Sequence, residues 1–301
     1  MSALRLRDRR VDLAPGRPLV MGIVNAGSDS FSDAVRLTTL DQQVAHALAL
    51  AADGADLIDV GAESGVTYSA QSRPEREAAL VVPLVERLAG EGLTVSVDTY
   101  KPVVAQAALA AGAAMINDVS GLRDPALADL AAASGAALVV MHTRAEPKRE
   151  RFPDYGGDVA GDVEAFLRER LAIARERGVA DEQIVLDPGP DFAKTPVQTV
   201  DVLRSLGRLH AFGRPLLLAV SRKYFLGAIT GRPPAQRLAA TLGAVAWAAG
   251  AGAGILRVHD VAAARDVLAV GDVLAGRAEV PAFDGDDESL KWIRADPRSR
   301  S

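Results

Sequence analysis

Eight short apolar runs in this chain end in side chains that can do chemistry. The last one or two positions of each give Asn25, Asp59, Asp98, Asn117 with Asp118, His142, Asp187, then Ser221-Arg222-Lys223, then Arg257 with His259. The opposite ends of the same runs carry Ala, Gly, Leu and Pro. Carboxylates and amides gathered in one place recognise a nitrogen heterocycle through its N–H edge, because an ionised Asp accepts two parallel hydrogen bonds. Lys223, Arg257 and His259 suit a phosphorylated group. The set reads as a heterocycle site with an anion at its rim. Asp and Asn also favour helix N-caps and turns, which accounts for Asp33, Asp118 and Asp260 as well as ligand contact does. No cap explains Lys223 or Arg257.

The elements that must position these residues follow one pattern. A segment rich in Ala and Leu ends at a glycine, and a β-type run follows, as in ADGADLIDVG, AGEGLTVSVDT and ASGAALVVMH. Glycine just past a helix accepts the left-handed conformation that stops it. The runs are continuously apolar, as expected of parallel strands covered on both faces by helices. The pattern predicts strands over 19–24, 56–61, 94–99, 114–118, 137–142, 183–188, 215–220 and 254–260. Helical periodicity fills the gaps: Val163, Phe166, Leu167, Leu171 and Ala174 share one face of a helix whose other face is Arg and Glu. Eight strand–helix units point to a (β/α)8 TIM barrel, with the active site at the C-terminal ends of the strands. LRLRDRRVDLAPGRP reads as a short N-terminal hairpin across the barrel floor. We expect one domain over 1–276 and a polar C-terminal tail over 277–301, where Leu290, Trp292 and Ile293 are the candidates to dock.

Composition removes several function classes. A net charge of −5 argues against nucleic acid as the main partner. With no cysteine, there is no disulfide, thiolate nucleophile or cysteine-ligated metal. No apolar run reaches membrane-spanning length, and the charged start MSALRLRDRR is unlike a secretory signal, so the expected address is cytoplasmic. Gly250, Gly252 and Gly254 resemble a phosphate loop but precede a strand rather than follow one. They read as a helix stop. His46 and His210 read as surface or packing residues, and His142 as a hydrogen-bonded wall residue more than a ligand contact.

MGIVNAGSDSFSD resembles the N-terminal signature of the dihydropteroate synthases. DLIDVGAES, SVDTYK, INDVSG, VMHT, LDPGPDFAK, SRKYFLG and LRVHDV continue the match in order, one motif per strand end. The resemblance implies a transferase of folate biosynthesis. It would join 6-hydroxymethyl-7,8-dihydropterin diphosphate to p-aminobenzoate with loss of diphosphate, using Mg2+. Carried over position by position, it implies that Asp98, Asn117, Asp187 and Lys223 contact the pterin, beside Asp59. Met141 would pack on the ring and Arg257 would lie over its face. Asn25 would serve the metal and diphosphate, with Arg257 and His259 on the phosphates. Phe192, Ser221 and Lys223 would grip the aminobenzoate, and Arg222 would be a further substrate contact. A homodimer through barrel helices is the implied assembly.

The chain departs from the family pattern on the amine and loop side. Asn25-Ala26-Gly27-Ser28-Asp29-Ser30-Phe31 stands for the usual Asn-Val-Thr-Pro-Asp-Ser-Phe. Val66 falls where a loop arginine is expected, and Arg73, beside Pro74, is the candidate replacement; the alternative is that Arg73 merely opens the next helix. Pro190-Asp191-Phe192-Ala193 replaces a glycine-rich segment, and Tyr224 replaces a small residue. Three readings stay open: a working synthase with altered loops; a pterin-binding paralog that takes another amine or lacks condensation; and a methyltetrahydrofolate-dependent methyltransferase barrel. Asn25, Arg257 and His259 favour the first, because bare pterin or a methyl donor brings no diphosphate.

Overall fold

The computed structural model describes residues 2–27, 37–63, 71–149 and 151–282. Antiparallel β1 (Ser2–Leu6) and β2 (Arg9–Leu13) form a hairpin. Eight strands follow: β3 (Leu19–Asn25), β4 (Leu57–Gly61), β5 (Val95–Asp98), β6 (Met115–Asp118), β7 (Ala137–Met141), β8 (Ile184–Asp187), β9 (Leu217–Leu218) and β10 (Ile255–Val258). They pair in parallel in the order β8-β7-β6-β5-β4-β3-β10-β9. A single bridge between Leu186 and Leu216, with the Leu186 N–H donating to the Pro215 carbonyl at 3.0 Å, joins the two ends of the sheet. The expected barrel is therefore present and nearly closed. β9 is shorter than the predicted run 215–220. Pro215 has no N–H to add to a ladder, and the chain turns away into Arg222, whose φ is 56°.

Helices α1 (Leu40–Ala52), α2 (Pro74–Gly90), α3 (Pro102–Ala110), α4 (Ala126–Ser134), α5 (Val159–Glu176), α6 (Pro196–Arg204), α7 (Leu206–His210), α8 (Tyr224–Thr230), α9 (Leu238–Gly250) and α10 (Val261–Leu274) connect and cover the strands. Their starts are written locally. Thr39 with Gln42, and Thr195 with Gln198, form capping boxes. Proline opens α2, α3 and α6, where a missing N–H costs nothing.

Successive side chains of a strand face opposite ways, and that alternation divides the core in two. Met21, Leu57, Met115, Val139, Val185, Leu217 and Ile255 pack inside the barrel with Leu4, Leu6 and Leu13 of the hairpin. Their strand neighbours, such as Val20, Ile58, Ile116, Leu138 and Leu256, pack outward beneath the helices. Burying Leu4 and Leu13 this way stabilises the closed floor by roughly 1.5–3 kcal/mol each. Arg7 fixes the hairpin further, donating from Nη1 to the carbonyls of Leu109 (2.9 Å) and Ala113 (3.2 Å). The two carbonyls lie in the last turn of α3 and just before β6. The N-terminal end of the barrel is thus plugged, and the C-terminal end is left for chemistry. Residues 28–36 and 64–70, with the departures noted there, and Leu290, Trp292 and Ile293 of the tail lie outside the described residues.

Candidate active site

The same alternation selects which strand-end residues enter the barrel mouth. Counting by twos from the inner core residues leads to Asn25, Asp59, Asp98, Asn117, Met141, Asp187 and Arg257, and beyond the last two strands to Ser221 and His259. Arg257 spans two of the carboxylates. Its Nε donates to Asp59 Oδ2 at 2.6 Å and its Nη2 to Asp98 Oδ2 at 2.8 Å. Asn117 Nδ2 donates to the same Asp59 oxygen at 3.0 Å. Asp59 is 0% exposed, so it anchors the arginine and the amide from beneath. Its other oxygen, Oδ1, and the hydroxyl of Ser96 are buried without a hydrogen-bond partner. The two residues are register partners on β4 and β5. A buried polar group left unpaired costs about 1–3 kcal/mol, so this floor is suited to groups brought by a ligand or water.

Asp187 faces this network from β8, with Oδ1 accepting from the Gly189 N–H at 2.7 Å. Burial pushes its carboxyl up to about 6, against the opposing pull of that N–H and of the Lys223 and Lys194 ammoniums. Burial likewise pushes Asp98 up to about 7, with Arg257 opposing and Asp59 adding to the rise. Lys223 is lowered from its ordinary value, again chiefly by burial. Its Nζ lies 4.4 Å from the centroid of the Phe192 ring, within cation–π range. The mouth thus holds carboxylates that gain from ligand donors, beside an ammonium seated on an aromatic face.

At the rim, Ser221 Oγ lies 2.9 Å from His259 Nδ1 and accepts from the His259 backbone N–H at 3.3 Å. The serine hydroxyl thus pairs with both the imidazole and the main chain of His259. Burial and the neighbouring Arg222, Arg257 and Lys223 hold His259 down at about 3. That shift favours the neutral imidazole. Asn25 ends β3 opposite Gly61. Gly27, two residues on, lies so close to β4's exit that a Cβ there would stand 2.1 Å from the Ala62 carbonyl oxygen. Among the described residues no group of three His, Asp or Glu side chains could hold a metal by itself. Mg2+ is commonly held by one or two protein oxygens plus substrate phosphates. The single hard oxygen of Asn25 fits an ion shared with a diphosphate.

Other strand-end residues turn elsewhere. Asp118 accepts from the backbone N–H groups of Ser120 (2.7 Å) and Leu122 (2.6 Å), the turn role available to it from sequence. His142 is wholly buried on the outward side, 2.9 Å from Asp162 and edge-on to Phe166. Arg222, with a left-handed backbone, directs its guanidinium to Asp260 at 2.9 and 3.0 Å. Arg73 is exposed at the N-cap of α2, and its carbonyl accepts from the Arg76 and Glu77 N–H groups. Tyr224 is exposed at the start of α8.

Two arrangements were not foreseen. Lys194 is 0% exposed and donates to the carbonyls of Gly189 (2.9 Å), Phe192 (3.0 Å) and His142 (3.4 Å). Lys101 joins Glu63, Glu77 (2.5 Å) and the Ser72 carbonyl (2.7 Å), so one ammonium holds the stems on either side of residues 64–70. A lysine next to a Thr-Pro helix start, or one following Asp-Thr-Tyr, reads in sequence as a solvated charge. Nothing local announces its burial.

The chain is a (β/α)8 barrel whose mouth gathers carboxylates, an amide and cations above a plugged floor, and residues 21–259 match the family model "Pterin binding enzyme". The dihydropteroate synthase of Mycobacterium leprae is 42% identical over 269 residues, covering 86% of this chain and 94% of its own. The Xanthomonas albilineans dihydropteroate synthase solved with 4-aminobenzoic acid superposes with a TM-score of 0.83 at 42% identity, over 93% of this chain and 100% of the other. The Burkholderia cenocepacia dihydropteroate synthase complexed with 7,8-dihydropteroate gives a TM-score of 0.83 at 38% identity, over 92% and 97% of the two chains. The chain belongs to the dihydropteroate synthase family and is a transferase.

Proposed function

We propose that this mouth joins a dihydropterin diphosphate to p-aminobenzoate, with roles divided among its residues as follows. Asp187 accepts the ring's amino and N3–H donors, Asn117 and Asp98 meet its other polar edge, and Lys223 donates to its carbonyl oxygen. Arg257, already held flat between Asp59 and Asp98, covers one face while Met141 supports the other. Arg257 and His259 bind the diphosphate as it leaves. Mg2+, when bound, supplies further positive charge to that leaving group, and Asn25 would hold it. Preorganised donors of this kind stabilise charge where it develops. The aromatic amine enters between Phe192, Ser221 and Lys223, and loses its proton readily after attack, so no strong base is needed.

The observation that carries this reading is the Arg257 bridge, which needs two buried carboxylates and places its guanidinium at the mouth beside Lys223. Arg73 is the candidate for the loop arginine on the amine side. The reading also takes 1–276 as one domain and 277–301 as a tail, in a cytoplasmic homodimer. Exposed Val197, Ile229, Leu238 and Trp247 on α6, α8 and α9 offer the apolar face for that dimer, which sedimentation tests. The deciding experiment incubates the pure protein with pterin diphosphate, Mg2+ and p-aminobenzoate, and measures dihydropteroate and diphosphate in equal amounts. Tight pterin binding with no product supports instead a paralog with another amine, the reading favoured by the altered segment Asp191–Ala193.

A further inference from the structure

The loop after β8 takes an unusual path. Gly189, Asp191 and Ala193 all have left-handed backbones, with φ of 65°, 66° and 53°. Only the first is glycine. A residue with a Cβ pays about 1–2 kcal/mol in that region, so the surroundings must hold the other two in place.

Asp191 shows how. Its N–H donates to Thr199 Oγ1 at 3.1 Å, and that hydroxyl donates back to Asp191 Oδ1 at 3.2 Å. Both carboxylate oxygens accept from the Phe225 N–H at 3.3 Å. Thr199 is buried on α6, and Phe225 lies in the first turn of α8, two residues beyond Lys223. One carboxylate therefore ties the loop to both helices. The next residue is Phe192, whose ring carries the Lys223 ammonium and whose carbonyl is gripped by Lys194.

We propose that Asp191 is a positioning residue for the amine half of the reaction, fixing Phe192 against Lys223 and facing that ammonium with a negative charge. The proposal rests on the function proposed above. The charges around Lys223 agree with it. Asp191 and Asp187 face it from the β8 side, Arg257 and His259 from β10, and Asp98 from β5. Burial lowers the ammonium, Asp191 is the first group opposing that loss and Asp187 the second, while Arg257 adds to it. Removing the Asp191 charge therefore moves loss of the Lys223 proton to lower pH.

Two variants separate tether from charge. Asp191→Asn keeps an acceptor and tolerates the left-handed backbone; the alkaline limb of kcat/KM for p-aminobenzoate should move down by about one pH unit. The Lys223 side chain, followed by carbon NMR, should titrate lower by the same step. Asp191→Ala loses the tether too, so KM for p-aminobenzoate should rise roughly tenfold, while Kd for pterin diphosphate, which Lys223 also contacts, rises clearly less. Melting curves establish that each variant is folded, and the Asn variant answers the question if the Ala variant is not. An unmoved alkaline limb with an unmoved Lys223 titration overturns the proposal, as does a pterin Kd that rises as much as the KM. If the wild type makes no dihydropteroate, the proposed function fails, while the Lys223 titration in the two proteins still decides the role of Asp191.

Discussion

Asp187→Asn should make the protein more stable and a worse pterin binder, and the two effects can be worked separately. The carboxyl is 3% exposed and raised from 3.8 to about 6, with burial as the main cause. Between those two values the folded protein holds a proton that the unfolded chain has lost. Stability therefore falls as pH rises from about 4 to about 6 and stays lower above that window. The shift corresponds to a penalty on the order of 3 kcal/mol at neutral pH. Asparagine has the same shape without the charge, so the variant should melt above the wild type at pH 8 and lose that advantage by pH 3.5. Binding should run the other way. The pterin's donors need a carboxylate, and the variant turns an amide N–H2 toward them. Losing two charge-assisted bonds worth about 1.5–3 kcal/mol each weakens Kd by at least about a hundredfold. Titration calorimetry with pterin diphosphate at pH 8 measures this directly. Wild-type affinity should fall about tenfold from pH 7 to pH 5 as Asp187 takes up its proton. Asp98 titrates in the same window, so the Asp187 contribution is the difference between the two profiles. An unchanged Kd at pH 8 refutes the ring orientation, and a variant no more stable at pH 8 refutes the burial penalty.

Lys194→Met removes the ammonium from the carbonyls of Gly189, Phe192 and His142, of which, among the described residues, only Gly189 keeps another donor, the Phe192 N–H. At about 1–3 kcal/mol for each buried group, Tm should drop by about 6 °C or more; a drop under 2 °C rejects the cage. Arg257→Lys keeps the charge but loses the fork that spans Asp59 and Asp98. Its kcat should fall about 10- to 100-fold, and wild-type turnover in steady-state assays would show that the bridge is incidental. Gly27→Ala puts a Cβ 2.1 Å from the Ala62 oxygen, against backbone that cannot swing aside. Tm and pterin diphosphate affinity should both decline, and a crystal structure with β3 and β4 unmoved would contradict this.

The barrel was legible because its signals are local and repeat. A glycine stop and a continuous apolar run each follow from a few neighbouring residues, and eight copies in order leave little choice of architecture. The strand ends were legible as a set, but not all members belong to the site. Asp118, His142 and Arg222 stand next to inward-facing positions, and a shift of one residue along a strand sends a side chain to the other face. Reading inward from Met115 to Asn117, and from Val139 to Met141, would have excluded Asp118 and His142 from sequence alone. The partners Asp162 and Asp260 that take up His142 and Arg222 could not be foreseen, because they lie across long tertiary separations.

Lys194 and Lys101 mark the deeper limit. An ammonium is placed inside a protein only when backbone carbonyls or carboxylates converge on it, and convergence is a property of the closed fold. The pterin half of the mouth rests on strand ends whose register the ladder fixes, so its residue types and positions are set together. The amine half hangs on the loop after β8 and on the stems around 64–70. There, Asp191 and Lys101 hold the chain through bonds to neighbouring main chain and side chains. Changes in those loops can therefore be compensated by new tethers, as the left-handed Asp191 and its grip on Phe225 illustrate, while a change at Asp187 or Arg257 has no neighbouring strand to absorb it. The departures from the family pattern fall on the half where the physics allows them.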